Sequence, residues 1–135
     1  MDLIERRTAP RFQVSIEGTA KTQNGHSAQV TVSNISASGL QFSTAQHEIP
    51  FLFPDKLLNN TMDPVHIELH LKLPAFSDVE ACTISIGVGI VYVKRTGIDE
   101  CLVGVRFEAF APGVQSLLEN YITHLKDQPA KRIES

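Results

Sequence analysis

Arg7-Thr8-Ala9-Pro10-Arg11 places two arginines in an R-x-x-x-R, with Arg6 beside them, and Asn34-Ile35-Ser36-Ala37-Ser38-Gly39 forms an N-x-S-x-x-G. These residue types offer anion binding joined to base recognition. A guanidinium is planar and permanently charged, so it grips a phosphate through two parallel hydrogen bonds or lies flat on a purine. An asparagine amide presents a donor and an acceptor together, as a purine edge requires. Side chains alternate along a strand, so Asn34 and Ser36 are expected to project to one face. Gly39 permits a tight turn or the close approach of another backbone.

Those residues need a scaffold, and the hydrophobic pattern supplies one. Phe12, Val14, Ile16, Gly18 and Ala20 alternate with Gln13, Ser15, Glu17, Thr19 and Lys21, which predicts a half-buried strand. Asn24-Gly25 predicts a two-residue type I′ hairpin turn, because both central positions of that turn need positive φ. The returning strand, with Ala28, Val30 and Val32 on its apolar face, ends at Asn34, and Leu40 and Phe42 open a third. Residues 44–63 are interrupted by Pro50, Pro54 and Asn59-Asn60, predicting a long connection with a short helical turn over residues 54–58. Strands follow over residues 65–73, 81–94 and 101–108, the second with Gly87 and Gly89 as candidate bulges. Val114, Leu117, Leu118, Tyr121, Ile122 and Leu125 then recur at helical spacing. The expected fold is mainly β, a small six-stranded antiparallel β-barrel or a strongly twisted sheet, with a C-terminal α-helix. Residues 1–11 are expected to form a mobile arginine arm, 12–126 the barrel with its helix, and 127–135 a polar tail.

In this order, about 25 residues apart and followed late in the chain by Leu102-Val103-Gly104-Val105-Arg106-Phe107, the two motifs resemble the PilZ domain. That family comprises bacterial receptors for cyclic di-GMP, and the resemblance runs over residues 4–125. It implies that Arg6, Arg7 and Arg11 bind phosphates and guanine bases, that Asn34 engages a guanine, and that Ser36 and Gly39 fill the serine and closing-glycine positions. Ser38 departs from the glycine common beside that position. The ligand implied is cyclic di-GMP, held without turnover and without a further cofactor, so the output must pass through an unidentified downstream protein. Arg106 is expected to be an outward-facing strand residue.

Other chemistries fit poorly. A net charge of −3 argues against coating DNA or RNA by bulk electrostatics, although three of the twelve basic residues crowd into the arm. His66, Glu68 and His70 share one strand face but spread over about 13 Å, too far for one metal ion. Ser36 and Ser38 lie in no G-x-S-x-G elbow, and there is no G-x-x-x-x-G-K loop, so an enzyme is not expected. Cys82 and Cys101 read as free apolar sheet residues. Without a long apolar run or a signal-peptide h-region, the expectation is a cytoplasmic protein with no membrane insertion. The competing reading is a PilZ-like interaction module that binds no nucleotide.

Overall fold

The computed structural model describes residues 10–52 and 66–128, and the backbone of residues 132–133. Alternating apolar residues drive the architecture. Strands β1 (Arg11–Lys21), β2 (Ser27–Ile35), β3 (Gly39–Ala45), β4 (His66–Leu73), β5 (Cys82–Arg95) and β6 (Glu100–Phe110) are hydrogen-bonded in the order β2-β3-β6-β5-β4-β1. Pairing of β1 with β2 closes the ring, so the six antiparallel strands form a barrel with no open edge along the seam. Phe12, Val32, Phe42, Leu69, Leu71, Ile86 and Val103 point inward and are almost wholly buried, forming one continuous core.

Helix α2 (Val114–Lys126) lies against this core through Val114, Leu118, Tyr121, Ile122 and Leu125. Phe76, on the β4–β5 connection, meets the Tyr121 ring edge-on at 5.1 Å. Between β3 and the undescribed stretch, a 3₁₀ turn (Gln46–Glu48) leads into the short helix α1 (Ile49–Leu52), whose Leu52 is buried. His26 fastens this segment to the first hairpin: its ring stacks on Phe51 at 4.7 Å, and its Nε2 lies 2.7 Å from a Glu48 carboxylate oxygen. The helical turn expected over residues 54–58 falls outside the described residues.

Three details depart from the sequence pattern. The β1–β2 connection is not a type I′ turn, because only Gly25 has positive φ, at 95°, and Asn24 does not. Gly25 N–H donates to the Thr22 carbonyl and Thr22 N–H donates to the His26 carbonyl. The loop is thus a turn closed by a left-handed glycine, the common alternative to the two-residue hairpin. The second bulge of β5 falls between Ile90 and Tyr92, not at Gly89. Finally, a two-residue strand β7 (Arg132–Ile133), within the stretch expected to be a polar tail, pairs with Arg11 and Phe12. The reason is geometric. β4 pairs with β1 only along Gly18–Lys21, which leaves backbone donors and acceptors on the opposite half of that edge for another segment.

Removing a fully enclosed side chain should therefore be costly. Leu71→Ala is expected to lower stability by about 2–5 kcal/mol, read as a shifted urea midpoint, whereas Ile98→Ala on the exposed β5–β6 tip should stay within about 0.5 kcal/mol. Equal midpoints for the two variants would contradict a closed core.

Candidate functional site

The register of four strand pairs builds the site. Phe12 pairs with Ile35, Ile35 with Leu40, Leu40 with Val105, and Val105 with Ile90, giving an inward-facing row that crosses five strands. The residues immediately to either side must then face outward. On one side Gln13, Asn34, Gln41, Gly104 and Tyr92 are successive cross-strand partners. On the other stand Arg11, Ser36 and the paired Gly39 and Arg106. A shallow cavity of about 240 Å³ lies on this outer surface, lined by Arg11, Ser36, Ser38, Gly39, Tyr92 and Arg106, with Val91 at its side.

The turn that carries the second motif is rigid. Ser36 N–H donates to the Gly39 carbonyl at 2.8 Å, Ser36 Oγ donates to the same carbonyl at 3.3 Å, and Ser38 N–H donates to Ser36 Oγ at 3.3 Å. The Ser38 carbonyl accepts from Phe107 N–H at 3.0 Å, which ties the turn to β6. Ser38 has an ordinary negative φ, so a serine there costs the backbone nothing that a glycine would spare. Gly39 is required for a different reason: a Cβ at this position would collide with the Val105 carbonyl oxygen. β3 can approach β6 closely only because that atom is missing.

Two arginines from opposite ends of the chain flank this turn. Arg11 opens β1 and is exposed. Arg106, expected to be merely an outward strand residue, does face outward but also lines the cavity. Its Nε donates to Glu108 at 3.3 Å, and the other Glu108 oxygen lies 2.5 Å from His66 Nδ1. Glu108 thus holds Arg106 while leaving its terminal nitrogens uncommitted within the described residues. His66 and His70 engage separate partners, and no metal-like cluster exists among the described residues.

Of the residues singled out from the sequence, Arg11, Ser36 and Gly39 are brought together, and Arg6 and Arg7 lie outside the described residues. Asn34 sits one row away and does not line the cavity. It is only 9% exposed, and its Oδ1 has no hydrogen-bond partner among the described residues, an unusual state for a buried polar atom. Arg106, Val91 and Tyr92 were not expected at a site. The register through Gly39 would have pointed to Arg106, whereas Val91 and Tyr92 both face outward only because of the bulge between Ile90 and Tyr92.

The sequence matches the PilZ domain over residues 5–124. The protein belongs to the PilZ family. Several solved structures share its fold at low identity. The c-di-GMP-bound PilZ domain of YcgR from Escherichia coli is 12% identical with a TM-score of 0.62, over 92% of this chain and 94% of that one. The K. pneumonia MrkH–c-di-GMP complex is 16% identical with a TM-score of 0.67, and the Bacillus subtilis inhibitor of motility MotI/DgrA is 16% identical with a TM-score of 0.65. Each of these two alignments covers 93% of this chain and 53% of the other, so this PilZ chain spans about half their length. No curated protein sequence matches it.

Gly39→Ala is expected to cost about 1–3 kcal/mol through overpacking against Val105, seen as a lowered unfolding midpoint. Wild-type stability in that variant would show that β3 and β6 do not approach as described.

Proposed function

We propose that this PilZ protein is a cyclic di-GMP receptor that holds the dinucleotide on the outer face of the barrel and signals to a partner protein through the altered surface. The observation that carries the reading is the convergence of Arg11, Ser36, Gly39 and Arg106 on one cavity, although the first and last are separated by most of the chain. At about 240 Å³ the cavity is below the roughly 300–1,000 Å³ of pockets that enclose a small molecule. A dinucleotide therefore lies across it and needs cover from above.

The roles follow from charge and hydrogen-bond inventory. Two phosphates brought off water repel each other unless several cations pair with them. Arg11 and Arg106 supply two from the barrel, and Arg6 and Arg7 supply two more from the N-terminal arm. Ser36 anchors the turn beneath the ligand. The buried Oδ1 of Asn34, without a hydrogen-bond partner among the described residues, is suited to accept from a guanine N–H once the ligand displaces whatever covers it. Nothing in this scheme breaks a bond: the ligand is bound and released. The regulatory output is a change in the face formed by the arm and the cavity, read by a downstream protein.

Isothermal titration of the full chain with cyclic di-GMP, with GTP as control, tests the reading. Heat is expected with the cyclic dinucleotide and not with GTP. Arg7→Ala and Arg11→Ala should each weaken binding roughly tenfold to hundredfold, the loss of charge-assisted hydrogen bonds, with unchanged circular dichroism. Absence of binding to the wild-type protein would leave the competing interaction-module reading standing.

A further inference from the structure

Tyr92 is rooted on β5, yet its hydroxyl donates at 2.6 Å to Gln41 Oε1 on β3, with β6 lying between those strands. The ring must therefore lie across β6. It can do so because the intervening residue is Gly104, Tyr92's cross-strand partner and also Gln41's. A Cβ there would collide with three atoms of the Tyr92 ring. The ring is pinned at both ends, by its own backbone and by Gln41, and Gln41 is in turn tied to Ser33, its Nε2 donating to Ser33 Oγ at 3.4 Å. The outcome is an aromatic ring laid along the barrel wall, 39% exposed, at the edge of the cavity that holds Arg11 and Arg106. Beside it the bulged Val91 is 59% exposed, so this part of the cavity wall is apolar, while Arg11 and Arg106 bring charge to the cavity and Ser36 and Ser38 bring hydroxyls.

An exposed ring usually keeps its rotamer freedom; this one is held in place, which lowers the entropy lost when a flat group settles on it. A purine has a π face of matching shape, and base–aromatic stacking does not depend on which hydrogen-bonding edge the base presents. We propose that Tyr92 is the stacking platform for one guanine of the bound dinucleotide, laid flat by Gly104 and tethered by Gln41. This rests on the cyclic di-GMP reading above. It assigns base contact to a strand outside both sequence motifs and gives Gly104 a role in the site: its missing side chain makes room for the platform.

The protein contains two tyrosines and no tryptophan, which makes the test direct. Tyr121 lies in the core against Phe76, and burial pushes its phenol up from the ordinary value, so it remains a neutral, shielded emitter. Adding cyclic di-GMP to the full chain is expected to quench the Tyr92 share of the tyrosine emission. In Tyr92→Ala the quench should vanish and the calorimetric affinity should fall roughly fivefold to hundredfold. Tyr92→Phe keeps the π face and should bind within about threefold of wild type. Gly104→Ala, which lifts the ring without deleting it, should weaken binding in the same direction as Tyr92→Ala. If the wild-type protein binds but Tyr92→Ala retains its affinity, or emission is quenched equally in that variant, the platform is wrong and the receptor reading survives. If the wild-type protein shows no heat with cyclic di-GMP, the receptor reading itself fails, and this inference with it.

Discussion

Phe12 opposite Ile35 is the contact on which the site depends. Both side chains are buried in the core, so the β1–β2 register cannot slip by one residue without driving two large apolar groups into water and two polar ones inward. With that register fixed, Arg11 must lie outside the barrel at the level of Ser36. The next pairings, Ile35 with Leu40 and Leu40 with Val105, carry the same constraint to Arg106. The proposed anion site on the surface is thus specified by a hydrophobic row beneath it, and the motif residues need few direct contacts with one another to be placed around the cavity.

Charge is distributed to match. The chain is acidic overall, yet Arg11 and Arg106 face one cavity, while Glu17, Asp99 and Glu100 line a separate one. Separation of the two signs lets a net-negative protein attract a dianion locally, because in salt solution only charges within about 10 Å act strongly on each other. Glu108 is the exception, a carboxylate beside Arg106 that also meets His66. It restrains the guanidinium in the absence of an anion and orients it toward the cavity, at the expense of partial competition with any ligand.

The barrel was legible in the sequence because most of its strand residues alternate between apolar and polar, and the helix because six apolar residues recur at helical spacing. Arg11, Ser36 and Gly39 were legible because they fall at fixed spacings in two short motifs whose polar members lie outside the apolar core. Arg106 was not, since an outward arginine on a strand acquires meaning only when its cross-strand partner is known to be Gly39. Val91 and Tyr92 were harder still: a bulge turns two adjacent residues to the same side, and strict alternation assigns one of them to the interior. The turn at Asn24-Gly25 was misread because that dipeptide also fits a longer loop in which only the glycine needs positive φ. Strand β7 carries no periodic signal in two residues and exists because β4 leaves half of β1's edge open.

Cyclic di-GMP is proposed to bind the outer surface over the Phe12–Ile35–Leu40–Val105 row. Amide chemical-shift mapping of the isotope-labelled full chain during titration with the dinucleotide tests this placement most directly. The largest shifts are expected at Arg11, Ser36 through Gly39, Tyr92, Gly104 and Arg106, with the Glu17, Asp99 and Glu100 surface unchanged. Shifts centred on that acidic surface or confined to helix α2, with the Arg11–Ser36–Arg106 amides unmoved, would contradict it.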